Sequence, residues 1–156
     1  MIDILKIYEP SLVLCAFSKK MQTGNQISNT KDLLKQSLKH AKSAGISSKK
    51  IVLDPAIGFF RKSGKGPFFT KINSSWLQRD LSILTNLRSL KQGQPILVSV
   101  SNKSFIGKII NKKNPTDRLP GSLAAEVFAT IKGADIIRTH NVTETRNVAS
   151  IAMKLS

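Results

Sequence analysis

Five residues in this chain could do chemistry together: Asp54, Ser101, Lys103, Arg138 and His140. Each closes an apolar run. Asp54 follows Ile51–Leu53, Ser101 and Lys103 follow Pro95–Val100, and Arg138 and His140 follow Ala134–Ile137. Parallel α/β proteins place their ligands at the carboxyl ends of such strands. A carboxylate at Asp54 accepts hydrogen bonds from an amino-substituted, N–H-bearing ring. Lys103 donates to ring oxygen or nitrogen. Arg138 can stack on a flat ring and also bind an anion. Arg138 and His140 are two apart, so an extended chain points them to one face. His140 precedes the last helix, whose first N–H groups and dipole favour a phosphate. Each residue has a plainer reading too. Asp54-Pro55 suits a turn, Arg138 suits a salt bridge, and a lone histidine is often structural. Their joint placement is what favours a ligand site.

The elements that must position these tips follow from periodicity. Ser11–Phe17 reads as a first strand, after a helix tail over residues 2–8 that Glu9-Pro10 closes. A helix capped by Ser28, Asn29 or Thr30 runs to about Ala44, with Gly45 as its stop. Ile51–Asp54 is the second strand, and Pro55–Lys71 is a long loop rich in Gly and Lys that reads as a mobile lid. Asn73 or Ser74 caps the next helix, whose face carries Leu77, Leu81, Leu84 and Leu87. Pro95–Ser101 is the third strand, followed by a short helix, Lys103–Ile110. Pro120 opens a helix to Lys132, and Ala124, Ala125 and Ala129 allow it to pack closely. Ala134–Arg138 is the fourth strand, and Asn141 or Thr143 caps the final helix. Strand and helix alternate throughout, which specifies a parallel α/β arrangement.

The bulk properties narrow the class. At 156 residues the chain is long enough for one domain but short of the roughly 250 typical of an eight-stranded α/β barrel. The formal charge is +16, and residues 31–100 hold 13 Lys or Arg against three acids. Such a balance suits an anionic small molecule, nucleic acid, or simply solvated helix faces. Aromatic residues are not interleaved with the basic ones as single-strand binders require. The lone cysteine, Cys15, lies in an apolar run and reads as buried and structural. One cysteine and two histidines do not make a structural zinc site. Neither a signal peptide nor a membrane span is legible, so the default expectation is a cytoplasmic protein.

One motif misleads. Gly58–Gly66 follows a strand and looks like a phosphate loop. The P-loop has four residues between its first glycine and the Gly-Lys pair, then Ser or Thr. Here five intervene, and Gly66 takes the final place.

The stretches Asp54–Phe59 (DPAIGF), Ser101–Gly107 (SNKSFIG), Leu119–Ala129 (LPGSLAAEVFA) and Gly133–Val142 (GADIIRTHNV) together resemble dihydropteroate synthase, a pterin-binding family, with archaeal-type members most similar. The resemblance implies a (β/α)8 TIM barrel of which residues 1–156 form one domain, the C-terminal half: about four βα units, strands five to eight. It implies condensation of a dihydropterin methyl diphosphate with 4-aminobenzoate, with loss of diphosphate. By the resemblance, Asp54 binds the pterin's amino-pyrimidine edge and Lys103 contacts the pterin. Arg138 stacks on the ring and touches the diphosphate, which His140 also holds. Phe59 and Ser101 line the aminobenzoate pocket. Lys103, Arg138 and His140 are the expected catalytic residues. Magnesium is the implied cofactor, with no ligand for it in this chain.

Departures from the family pattern are specific. Asn102 replaces a usual arginine, Ala56 a usual glycine, and Asn141 a usual aspartate, and the first strand ends in Ala16-Phe17-Ser18. The family's first four strands have no counterpart here. The expected partner is accordingly a complementing N-terminal half or a second copy pairing head to tail. A non-catalytic paralogue, a related pterin-binding methyltransferase and a basic nucleic-acid binder remain as alternative readings.

Overall fold

The computed structural model describes residues 7, 8, 10–64 and 66–155. Residues 7 and 8 are helical, and the rest of the expected N-terminal helix lies outside the described residues. The chain then runs β1 (Leu12–Cys15), α1 (Gln26–Ser43), β2 (Ile51–Asp54), β3 (Phe60–Arg61), β4 (Thr70–Lys71), α2 (Trp76–Thr85), β5 (Leu97–Val98), α3 (Ser104–Ile109), α4 (Leu119–Ile131), β6 (Ile136–Ile137) and α5 (Val142–Leu155).

The main sheet is parallel and keeps chain order. β1 pairs with β2 from Leu12↔Ile51 to Cys15↔Asp54. β2 meets β5 through the Leu53↔Ile96 bridge, with Leu53 N–H donating to Pro95 O at 2.9 Å. β5 pairs with β6 at Leu97↔Ile136 and Val98↔Ile137. Arg138 N–H continues that ladder to Val98 O at 2.9 Å. Ile51, Leu53, Ile96 and Val98 are buried in one core with Leu34 and Leu38 of α1 and Ile83 and Leu84 of α2. Burying such side chains contributes roughly 1.5–3 kcal/mol each. The other face is open. Val13 and Cys15 at one edge and Ile136 at the other are exposed. Parallel sheets are normally covered on both faces, so this one presents an uncovered apolar wall. No helix among the described residues is long and apolar enough to cross a membrane.

Several expectations shift. Asn25, not Ser28–Thr30, caps α1: its Oδ1 accepts Ile27 and Ser28 N–H, both at 3.0 Å. Thr30 lies inside the helix and bonds back to Gln26 O. Ser75 caps α2. Of the expected stripe, Leu84 and, just past the helix, Leu87 are buried, but Arg79, Asp80 and Ile83 take the buried positions beside them and Leu77 and Leu81 only flank the core. The stripe is rotated because an ion pair, Arg79–Asp80, is taken inside. In α4, Ala129 packs in the core but Ala124 is exposed, and Ser122 and Glu126 occupy the buried face.

Cys15 is exposed rather than buried, because with Val13 it lies on the uncovered face of the sheet while Leu12 and Leu14 pack on the core. Nor is 55–71 a free lid. β3 and β4 pair with each other, Ser18 N–H donates to Thr70 Oγ1 at 2.9 Å, and Gln22 N–H donates to Lys71 O at 2.8 Å. Only the tip of the loop lies outside this ladder. It forms no phosphate cradle among its described residues. Gly58 lies under the Lys103 side chain and Gly64 against the Phe69 ring.

Candidate functional site

Asp54, Lys103 and Arg138 lie within electrostatic reach of one another at the carboxyl end of the sheet, and His140 is tied to Ser101, two residues before Lys103. Asp54 ends β2 and is half-buried. Its Oδ1 accepts Ala56 N–H at 2.7 Å, while Oδ2 has no partner among the described residues. Burial pushes its carboxyl above the usual range, and the Ala56 N–H and the charges of Lys103, Arg138 and Arg79 only partly oppose this. Burial likewise lowers the Lys103 ammonium from its usual value, against the support of Asp54 and Asp80. The two groups thus sit in one poorly hydrated place. The Lys103 Nζ lies 4.2 Å from the centre of the Phe59 ring, and Phe69 stacks at 5.9 Å on Phe59. Lys103 reaches there because Gly58 leaves room: a Cβ at Gly58 would stand 2.9 Å from Lys103 Cδ.

The second cluster hangs on β6. Ser101 is buried, and its Oγ lies 3.0 Å from His140 Nδ1 and accepts His140 N–H at 3.4 Å. His140 Nε2 has no protein partner among the described residues. Beneath it, Thr145 Oγ1 lies 2.7 Å from Glu126 Oε2 and 3.0 Å from Thr139 Oγ1, tying the Arg138–His140 turn to α4 and α5. Glu126 is 1% exposed, and its Oε1 has no partner among the described residues.

The arginines separate into two kinds. Arg79 donates to Pro55 O, Ala56 O, Thr30 Oγ1 and Asp80 Oδ1. Arg118 donates to Asn102 O, Lys112 O and Lys113 O. Arg61 bonds Phe60 O, Asp80 and Ser104. Arg138 is exposed and makes no side-chain hydrogen bond to any described residue. Its donors, the Lys103 ammonium, His140 Nε2 and Asp54 Oδ2 are the unspent capacity at the sheet's mouth. That pattern suits a ligand with N–H donors at one end and an anion at the other.

Between the tips of β1 and β2 and the loop lies an apolar cavity of about 570 Å³, lined by Cys15, Ala16, Phe17, Ala56, Phe59, Pro67 and Phe68. It is within the range of small-molecule sites. Although Cys15 opens to this cavity, partial desolvation by its apolar walls, with Asp54 nearby, pushes the thiol up to about 11.

The family departures have structural accounts. Ala56 holds φ 55, a left-handed conformation that a glycine adopts without strain. Asn102 holds φ 58, which asparagine tolerates, and engages Ser122: its N–H donates to Ser122 Oγ at 2.9 Å. Arg79, Asp80 and Glu126 are the residues that sequence reading missed. Charged side chains at core-facing helical positions were the available signal.

The described fold is an open parallel α/β sheet that carries three cationic or imidazole groups and one carboxylate at its carboxyl end. The sequence matches the pterin-binding enzyme family over residues 1–140, and the chain belongs to that family. It is 38% identical to Escherichia coli dihydropteroate synthase over 111 residues, which is 70% of this chain and 34% of that protein. It is 31% identical to the Synechocystis dihydropteroate synthase over 130 residues, 83% of this chain and 40% of that one. The dihydropteroate synthase from Clostridium difficile, solved in the presence of pteroic acid, superposes with a TM-score of 0.82 at 29% identity, covering 99% of this chain and 54% of its own. That from Coxiella burnetii, in complex with pteroic acid, gives 0.82 at 31% identity, with 99% and 55% covered. The chain therefore spans about half the length of these solved relatives.

Proposed function

We propose that this chain supplies the C-terminal half of a dihydropteroate synthase barrel, strands five to eight, as a single domain. The observation that carries this reading is the convergence of unspent donors and acceptors from Asp54, Lys103, Arg138 and His140 at the sheet's carboxyl end. Asp54 Oδ2 accepts from the pterin's amino edge, and Lys103 donates to the ring. Arg138 covers the ring face and reaches the diphosphate. His140 Nε2, with Nδ1 engaged by Ser101, holds the diphosphate near the start of α5. The C–O bond to diphosphate breaks and its electron pair leaves with the oxygen. The arylamine nitrogen then bonds the pterin methylene and releases its proton to solvent. Arg138 and His140 stabilise the departing anion, the largest electrostatic demand of such a step.

Phe59 lines the aminobenzoate side, with the apolar cavity beside it, whereas Ser101, expected there too, engages His140 on the diphosphate side. Magnesium does not fit the residues present. Among the described residues, no three His, Cys, Asp or Glu side chains group to hold a metal. The one carboxylate at the mouth, Asp54, already accepts Ala56 N–H and faces the charges of Lys103 and Arg138. A hard cation needs several oxygen ligands, so no step is assigned to one here.

The open edges at β1 and β6 and the uncovered wall at Val13 and Ile136 support a missing complement of about four more βα units. The formal charge of +16 disfavours a second copy in that role, since pairing would bring two Lys103 and Arg138 sets to one mouth. The test is to combine this chain with the N-terminal half of the Escherichia coli relative and follow dihydropteroate and diphosphate formation. The combination turns over and the chain alone does not. Robust turnover by the monomeric chain would overturn the half-site reading, and a compact homodimer in sedimentation would move it to self-pairing.

A further inference from the structure

Arg79 and Asp80 are adjacent on α2 and almost wholly buried, at 2% and 0% exposed. Neighbouring helix residues do not share a face, so enclosing both takes a segment that wraps over the helix. That segment is 55–61. Asp54 ends β2 and Phe60 begins β3, so the backbone groups between them have little ladder to join. Arg79 donates to Pro55 O at 2.7 Å and to Ala56 O at 3.2 Å. Asp80 Oδ1 accepts Gly58 N–H at 3.1 Å. Two residues of this stretch, Ala56 and Gly58, hold φ 55 and φ 88. Such conformations persist where the surroundings over-determine them.

The same pair extends outward. Asp80 Oδ2 takes Arg61 at 3.3 Å, and Arg61 bonds Ser104 Oγ at 2.7 Å, one residue past Lys103. Arg61 also lies 4.3 Å over the Trp76 ring. A buried charge pair is a poor way to gain stability, because apolar residues of the same size do as well. What charges add is directional bonding to named backbone atoms.

We propose that Arg79 and Asp80 are positioning residues for the ligand site, a buried clamp that sets segment 55–61 and, through Arg61 and Ser104, holds Phe59 against Lys103. The ligand's identity rests on the pterin reading above, whereas the clamp does not. Asp80 also acts electrostatically on Lys103, helping to keep its amine charged where burial works against it.

The experiment is NMR on the whole chain. The Lys103 Nζ lies 4.2 Å from the centre of the Phe59 ring, so the neighbouring ε-CH2 protons resonate upfield. Asp80→Asn keeps an acceptor for Gly58 N–H but removes the charge that Arg79 and Arg61 require. Arg61→Gln cuts only the outer limb, at a side chain 16% exposed, and so decides the matter if Asp80→Asn fails to fold. In the folded variants the Lys103 shift moves toward its unstructured value, while the methyl resonances of Leu34 and Leu38 stay in place. An unchanged Lys103 shift in a folded variant overturns the proposal. Collapse of the whole spectrum in both variants also overturns it, since the pair would then be core support alone. Pteroic acid titrated into the same samples gives the second readout. Binding at least tenfold weaker in the variants agrees with the clamp. No binding by the parent chain counts against the pterin reading, while the Lys103 shift still decides the clamp.

Discussion

Gly58→Ala separates backbone strain from site geometry. Gly58 holds φ 88, and an added Cβ would stand 2.9 Å from Lys103 Cδ, 3.3 Å from Nζ and 3.4 Å from Cε. A left-handed alanine costs about 1–2 kcal/mol, offset by about 0.4–1 kcal/mol from a stiffer unfolded chain. The net backbone loss is about 1 kcal/mol, or about 2–4 °C in Tm for a domain of this size. Lys103 must then leave the Phe59 ring, forfeiting about 1 kcal/mol of cation–π attraction and its aim at the ligand. Misplacing a charged donor costs about 1.5–3 kcal/mol in binding, roughly 10- to 150-fold. Gly45→Ala is the control: φ is 84 there, and nothing lies within 4 Å of the added carbon. Thermal melts and Lys103 side-chain NMR on both variants, with pteroic acid titration, make the measurement. Gly45→Ala loses only the backbone part, while Gly58→Ala loses about twice as much and shifts Lys103. Equal losses with Lys103 unmoved in both would refute the reasoning.

Other outcomes follow from the same geometry. Asp54→Asn keeps the acceptor for Ala56 N–H and removes a carboxylate whose ionisation burial opposes, so it abolishes pterin binding while stabilising the fold at pH 7. Because the folded pKa is raised above 3.8, that stability gain shrinks as pH falls through the raised value and is absent below 3.8, which urea unfolding at several pH values reads. Thr145→Val strips Glu126 Oε2 of its hydroxyl partner and frees the Thr139 turn. It costs about 1–3 kcal/mol in thermal stability, and Arg138 and His140 become more mobile in NMR relaxation. With its thiol near 11 rather than the ordinary 9.0, Cys15 at pH 8 reacts with a disulfide reagent about 100-fold more slowly than a free cysteine in thiolate fraction, and the rate climbs with pH up to 11. Rapid labelling at pH 8 would show a hydrated thiol instead.

The sequence by itself determined the order of the four main strands and their helices and named the polar residues that end those strands. Runs such as Ile51–Leu53 are short and β-branched, as strands are, and a polar residue ending each run lands at a sheet's carboxyl edge. Strand period two led to the expectation that Arg138 and His140 share a face, but β6 ends at Ile137, so both lie just past the ladder. Family membership was legible, since DPAIGF, SNKSFIG and RTHNV are those tips written out.

Tertiary structure decided which residues hold the tips still. Leu77, Leu81, Leu84 and Leu87 marked an apolar stripe on α2, yet the helix is turned so that Asp80 is enclosed with Ile83 and Leu84. That rotation depends on backbone atoms of Pro55, Ala56 and Gly58, roughly 20 residues away in sequence, whose unpaired groups compete for the same space. The fate of 55–71 was hidden likewise, because a two-residue ladder between Phe60–Arg61 and Thr70–Lys71 leaves no periodic trace. Cys15 read as buried because an apolar run does not say which face of its strand is covered. What covers a face is a non-local property that local hydrophobicity does not encode.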